Sequence, residues 1–178
     1  MLKHLLNFGL PDHICVGSFY RGSTVPNISI FVTETLKKQI FIKSLDLINK
    51  ELKTSKTNNS CLSVSLRFTN ISNMKKLNYS FSGSNKETNV LSFSPDPNET
   101  DENNNSVGDI AICVEVLRKE AKQQNKHFLD HLLHLFVHGV LHLLEYKHDS
   151  DREASKMEQI EKNILSKLGI EDPYLIEL

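Results

Sequence analysis

Six of the chain's eight histidines fall between His127 and His148, on the most apolar stretch of the sequence. The segment 127–146 is read as the most apolar helix of the chain. His131, His134, His138 and His142 recur at steps of three, four and four. That spacing brings them near one face of a helix. A row of imidazoles along an apolar helix is the feature any fold for this chain has to accommodate.

The sharpest part of the row is HGVLHLLEYKH, residues 138–148. His138 and His142 are one turn apart and can point at one ion. After the helix ends, the chain can turn back and deliver His148. Three imidazole nitrogens leave a fourth tetrahedral position for water, which is the donor set of a zinc site with an open position. The same spacing occurs in the metzincin peptidases, where a glutamate directly after the first histidine serves as general base. Here that residue is Gly139, so a peptidase of that kind would lack its base. His131 and His134 are read as neighbours of the metal ligands or core-edge groups, His127 as solvated, and His4 and His13 as incidental.

At 178 residues the chain is long enough for one domain and short for two. Its 39% hydrophobic and 24% charged content excludes collagen, coiled coil and a wholly disordered chain. A net charge of -1 argues against binding to nucleic acid by bulk charge, although a local basic surface stays open. Cys15, Cys61 and Cys113 are odd in number and form no CxxC pair, which reads as a reducing, cytoplasmic compartment. No apolar run approaches the ~20 residues of a membrane span.

Along the chain, 1–26 is rich in helix breakers and is read as an irregular extension before a domain over 27–178. Strands are expected over 28–33, 61–68, 88–93 and 107–114. Helices are expected over 34–52, 71–79, about 115–125, 127–146 and 149–168. In the last helix Met157, Ile160, Ile164, Leu165 and Leu168 form the inward stripe. Segment 95–106 is acidic with almost nothing to bury, and is read as a flexible loop. The whole is α+β, a small mixed sheet packed with helices.

The metal motif and two further segments resemble a known family, the YbeY-type bacterial rRNA maturation endoribonucleases. The family's HGxLHLxGYDH compares with residues 138–148. Its LNxxYRxxDxPTNVLSFP shares Leu77-Asn78 and Thr88-Asn89-Val90-Leu91-Ser92-Phe93. Its GDIxI matches Gly108-Asp109-Ile110-Ala111-Ile112, and EDPY at 171–174 looks like a family ending. The resemblance implies one zinc ion on His138, His142 and His148, in a cleft beside the sheet. It implies single-strand-specific cleavage of rRNA, 16S rRNA 3′-end processing and ribosome quality control, with the small ribosomal subunit or its proteins as partners and no membrane.

Several positions depart from the family pattern. Phe81-Ser82 stands where the family has Tyr-Arg, so a guanidinium suited to phosphate is replaced by one hydroxyl. Asn85 replaces an aspartate and Glu87 a proline. Glu145 replaces a glycine at the bend after the helix, and Lys147 an aspartate. Lys75, Lys76 and Lys86 are the candidate cations for RNA near the TNVLSF segment. Asp109 is left between an outer-sphere and a capping role. Two other readings stay open: a catalytically weak, zinc-stapled, ribosome-associated binding protein, and a zinc hydrolase of another phosphoester.

Overall fold

The computed structural model describes residues 14–17, 35–52, 62–95 and 106–175. Its elements in chain order are β1 (Ile14–Gly17), α1 (Thr35–Leu52), β2 (Ser63–Thr69), α2 (Ile71–Ser82), β3 (Val90–Phe93), β4 (Ser106–Cys113), α3 (Val114–Gln123), α4 (Phe128–Leu143) and α5 (Asp151–Lys167). Among the described residues the four strands form one mixed sheet in the order β1-β2-β4-β3. β2 and β4 run parallel, while β1 and β3 pair antiparallel on the outside. The α+β expectation holds.

Alternation along β2 and β4 divides the sheet into two faces. Val64, Leu66, Ile110 and Ile112 point to one face and join a core with Phe41, Leu45 and Ile48 of α1, Phe136, Val137, Val140 and Leu141 of α4, and Met157, Ile164 and Leu165 of α5. Phe41 and Phe136 meet edge to face at 4.9 Å, the geometry that ring quadrupoles favour. Ser44 lies in this core because its hydroxyl donates to the Ile40 carbonyl at 2.7 Å. On the opposite face α2 covers Ala111 and Cys113 with Met74. Ser65, Arg67, Leu77, Phe93 and Asp109 line a groove of about 200 Å³ there.

α4 approaches the sheet closely at Gly139. A Cβ there would stand 3.1 Å from both Ile110 Cδ1 and Ser92 Oγ, and the Ser92 hydroxyl donates to the Gly139 carbonyl at 3.0 Å. Further along, Gly108 adopts φ 135°, and a Cβ on it would lie 2.3 Å from the Phe93 carbonyl oxygen. The two motif glycines thus set the spacing of helix and sheet.

Four expectations need revision or fall elsewhere. Segment 1–26 was expected to be irregular, yet Ile14–Gly17 within it forms β1, pairing Ile14 with Leu66 and Gly17 with Ser63. Its Ile-Cys-Val run is too short to show a period, and it is the free edge of β2 that makes it a strand. The helix over 71–79 continues through the Ser-Phe-Ser that reads as loop, and stops at Gly83, whose φ of 71° turns the chain. The strand over 28–33 and nearly all of the acidic segment 95–106 lie outside the described residues. Among the described residues, no helix is long and apolar enough to cross a membrane.

Candidate metal centre

His138 and His142 project from the same side of α4. The helix then closes in a Schellman turn: the Tyr146 amide donates to the Leu141 carbonyl at 3.0 Å and the Glu145 amide to the His142 carbonyl at 2.9 Å. Glu145 is the left-handed residue of this turn, at φ 69°. A non-glycine residue pays for that conformation with about 1 kcal/mol of strain. Past the turn, α5 begins with a capping box between Ser150 and Glu153. Two anchored points therefore bracket His148 and bring it back over the end of α4.

The three imidazoles converge. Each offers a nitrogen, and these nitrogens all lie within 4.8 Å of one another, a group that could hold a metal ion. The His148 ring stacks on His138 at 5.5 Å between centroids and stands against His142 at 5.0 Å.

Hydrogen bonding at the far side of each ring fixes which nitrogen is free. His142 Nδ1 lies 3.0 Å from the Tyr146 carbonyl. A carbonyl only accepts, so Nδ1 carries the proton and Nε2 keeps its lone pair. His138 Nδ1 lies 2.9 Å from Glu161 Oε1. Burial raises the carboxyl pKa of Glu161, but hydrogen bonds from His134, His138 and Tyr174 outweigh burial and hold it at about 2. Glu161 is therefore ionised and accepts, and in the neutral ring His138 Nε2 is also left with a lone pair. The two Nε2 atoms stand 3.0 Å apart. Facing lone pairs at that distance repel, and a shared cation removes the repulsion. Burial first, and then the neighbouring His138, lowers the His142 pKa, which keeps that ring neutral and able to ligate.

Glu161 is the residue that sequence reasoning missed. It is fully buried. Besides His138 it accepts from His134 Nε2 at 3.2 Å and from the Tyr174 hydroxyl. A buried carboxylate is tolerable only when its lone pairs are filled in this way. Tyr174 belongs to the EDPY segment, which gives that ending a place in the network. The signal was present in the sequence: 161 lies on the inward stripe of α5 between Met157 and Ile164, where an acid is out of place.

The remaining candidates are elsewhere. His131 is buried, with Nε2 3.0 Å from Glu120, which also accepts from Asn89 at 3.0 Å. His127 is exposed at the start of α4. Asp109 is exposed in the groove on the α2 face, away from the histidines. Lys75, Lys76, Ser82 and Lys86 lie on α2 and the loop after it, also on that face. Ser82 is exposed, and its hydroxyl is hydrogen-bonded at the Asn78 carbonyl, 2.9 Å away. Asn78 in turn donates to the Lys86 carbonyl at 2.9 Å, tying the loop to the helix. Nothing in the structure explains Lys147.

The family described as "Endoribonuclease YbeY" matches residues 28–169. The chain belongs to the YbeY family. An endoribonuclease YbeY of Bartonella henselae is 47% identical over 112 residues, covering 62% of this chain and 71% of that protein. One of Bartonella quintana is 43% identical over 134 residues, covering 72% and 85%. The solution structure of TM1509 from Thermotoga maritima aligns with a TM-score of 0.48 at 23% identity, over 79% of this chain and 91% of that one.

Proposed function

We propose that this chain is a zinc-dependent endoribonuclease that cuts single-stranded RNA, with His138, His142 and His148 as the metal ligands. The observation that carries the reading is the pair of facing Nε2 lone pairs 3.0 Å apart, with His148 closing the group. The relatives' shared name supplies the substrate class. A bound zinc ion would acidify a water molecule and polarise a phosphoryl oxygen. The chain's own residues prepare for this. The Tyr146 carbonyl and the Glu161 carboxylate orient the two helical imidazoles and hold their protons on Nδ1, and such outer partners raise ligand basicity. Lys75, Lys76 and Lys86 supply positive charge for the phosphates. The biological setting we propose is 16S rRNA 3′-end maturation and ribosome quality control in the cytoplasm, on or beside the small ribosomal subunit.

Ser82 favours a second reading, in which the chain keeps zinc as a staple and binds the ribosome without turnover, because no guanidinium is offered at that position. A cleavage assay separates the readings. Zinc-loaded protein is incubated with single-stranded rRNA fragments and with small phosphodiesters, beside a His138→Ala control. Cleavage of the RNA alone, absent in the control, is the expected result. Cleavage of small phosphodiesters alone would assign another substrate, and no cleavage of either would favour the binding protein.

A further inference from the structure

α5 ends at Lys167, and Gly169, at φ 79°, turns the chain back. Residues 170–175 then run back along α5 as a strap. The Ile170 amide donates to the Leu165 carbonyl at 3.0 Å, Asp172 pairs with Lys162 at 3.3 Å, and the Tyr174 hydroxyl reaches Glu161. Lys126, just before α4, donates to the Pro173 carbonyl at 2.5 Å. Lys162 also lies 5.3 Å from the centre of the Tyr174 ring. A cavity of about 430 Å³ remains between the strap and the start of α4, lined by Lys126, His131, His134 and Pro173 among others. Apolar packing therefore leaves the strap partly unsupported, and polar ties fix where Tyr174 stands.

That position bears on the metal centre, because the two oxygens of Glu161 have different partners. Oε1 accepts from His138 Nδ1 at 2.9 Å. Oε2 accepts from His134 Nε2 at 3.2 Å and from the Tyr174 hydroxyl. A charge-assisted hydrogen bond to a carboxylate is ordinarily ~2.7–2.9 Å long, so His134 alone would hold Oε2 loosely. Burial and the Glu161 carboxylate push the Tyr174 pKa up, so the hydroxyl keeps its proton and donates. With Oε2 held, the carboxylate cannot rotate and Oε1 stays facing His138.

We propose that Tyr174 is a positioning residue for the metal centre, acting through Glu161 on His138, and that the C-terminal strap is the latch that holds it there. This rests on the zinc reading above and extends the site to the strap. The hydroxyl also draws charge from the carboxylate, which by itself would make His138 a poorer donor to zinc. Orientation is the larger effect, because without the hydroxyl Oε2 is left to the long His134 bond and the carboxylate can turn away from His138. An imidazole loses its fixed direction when its outer partner moves.

Tyr174→Phe removes the hydroxyl alone and keeps the ring against His134. Zinc affinity is measured by chelator competition, with Tyr79→Phe, a tyrosine 63% exposed on α2, as the control. Tyr174→Phe should bind zinc roughly 3- to 10-fold more weakly, less than the loss of roughly 10- to 100-fold that follows removal of a direct outer partner. Asp172→Ala frees the strap from Lys162 and leaves the hydroxyl in the chain, and it should weaken zinc binding in the same direction. The double variant should lose no more than Tyr174→Phe, since both changes act through one hydroxyl. In metal-free Tyr174→Phe the His138 Nδ1 proton, followed by imidazole NMR, should exchange with water faster than in the wild type, a change that a tyrosine serving only stability would not produce. Zinc binding in Tyr174→Phe as tight as in the wild type or tighter, or additive losses in the double variant, would overturn the latch and leave the zinc site standing. A wild type that binds no zinc would overturn the zinc reading and the latch together.

Discussion

Removing the Glu161 carboxylate reaches the core and the metal centre at once. The side chain is fully buried and accepts from His138, His134 and Tyr174. Glu161→Ala leaves those three groups without their acceptor, and breaking a buried charged network in this way costs about 3–5 kcal/mol. The carboxyl gives a second route to the magnitude. Folding moves its pKa from 4.5 to about 2, which corresponds to roughly 3 kcal/mol. Because the folded value is the lower one, this stability is fully present above pH 4.5 and is lost as the pH falls through 2. Urea unfolding of the metal-free protein across that range should show this acid limb in the wild type. Glu161→Gln, whose amide cannot ionise, should lack it. Competition with a chelator should find zinc held roughly 10- to 100-fold more weakly in both variants, the usual effect of losing an outer partner of a ligand. A Glu161→Ala protein within about 0.5 kcal/mol of wild type, with unchanged zinc affinity, would refute the argument.

Glu145→Gly should stabilise the protein by about 1 kcal/mol in urea unfolding, since glycine takes φ 69° without strain; zinc content should stay the same. Gly108→Ala should cost about 3 kcal/mol or more, because its Cβ would fall 2.3 Å from the Phe93 carbonyl oxygen; calorimetry or loss of soluble expression reads this out. Ser82→Arg should speed RNA cleavage by roughly 10- to 1,000-fold at constant zinc content, as a charged clamp on a transferring phosphoryl group would. Ser82 is exposed at the end of α2, so the longer side chain has room. An unchanged single-turnover rate would mean that another cation already fills the role.

The histidine centre was legible because it is local: two ligands a turn apart and a third beyond one bend follow from helix geometry. The strain at Glu145 was legible for the same reason, since helix ends ask for a left-handed residue. What the sequence hid was every relation across elements. Glu161 reaches His138 from a different helix, and its only trace was an acid on an apolar stripe. Gly139 looked like the loss of a peptidase base, and only the contact with Ile110 and Ser92 shows why a side chain is unwelcome there. β1 is a strand because β2 leaves an edge for it. Asn78 and Asn89 stand in recognisable motifs, yet each holds a loop or a neighbouring helix in place.

The central claim is that one metal ion on His138, His142 and His148 drives RNA cleavage. Its most direct test is a zinc titration of metal-free protein under single-turnover conditions with a single-stranded rRNA fragment. Cleavage should rise from the chelated baseline and saturate at one equivalent of zinc in the wild type, and should stay at baseline in His138→Ala, His142→Ala and His148→Ala. Full cleavage by the chelated wild type, or an undiminished response in any of the three variants, would contradict the account.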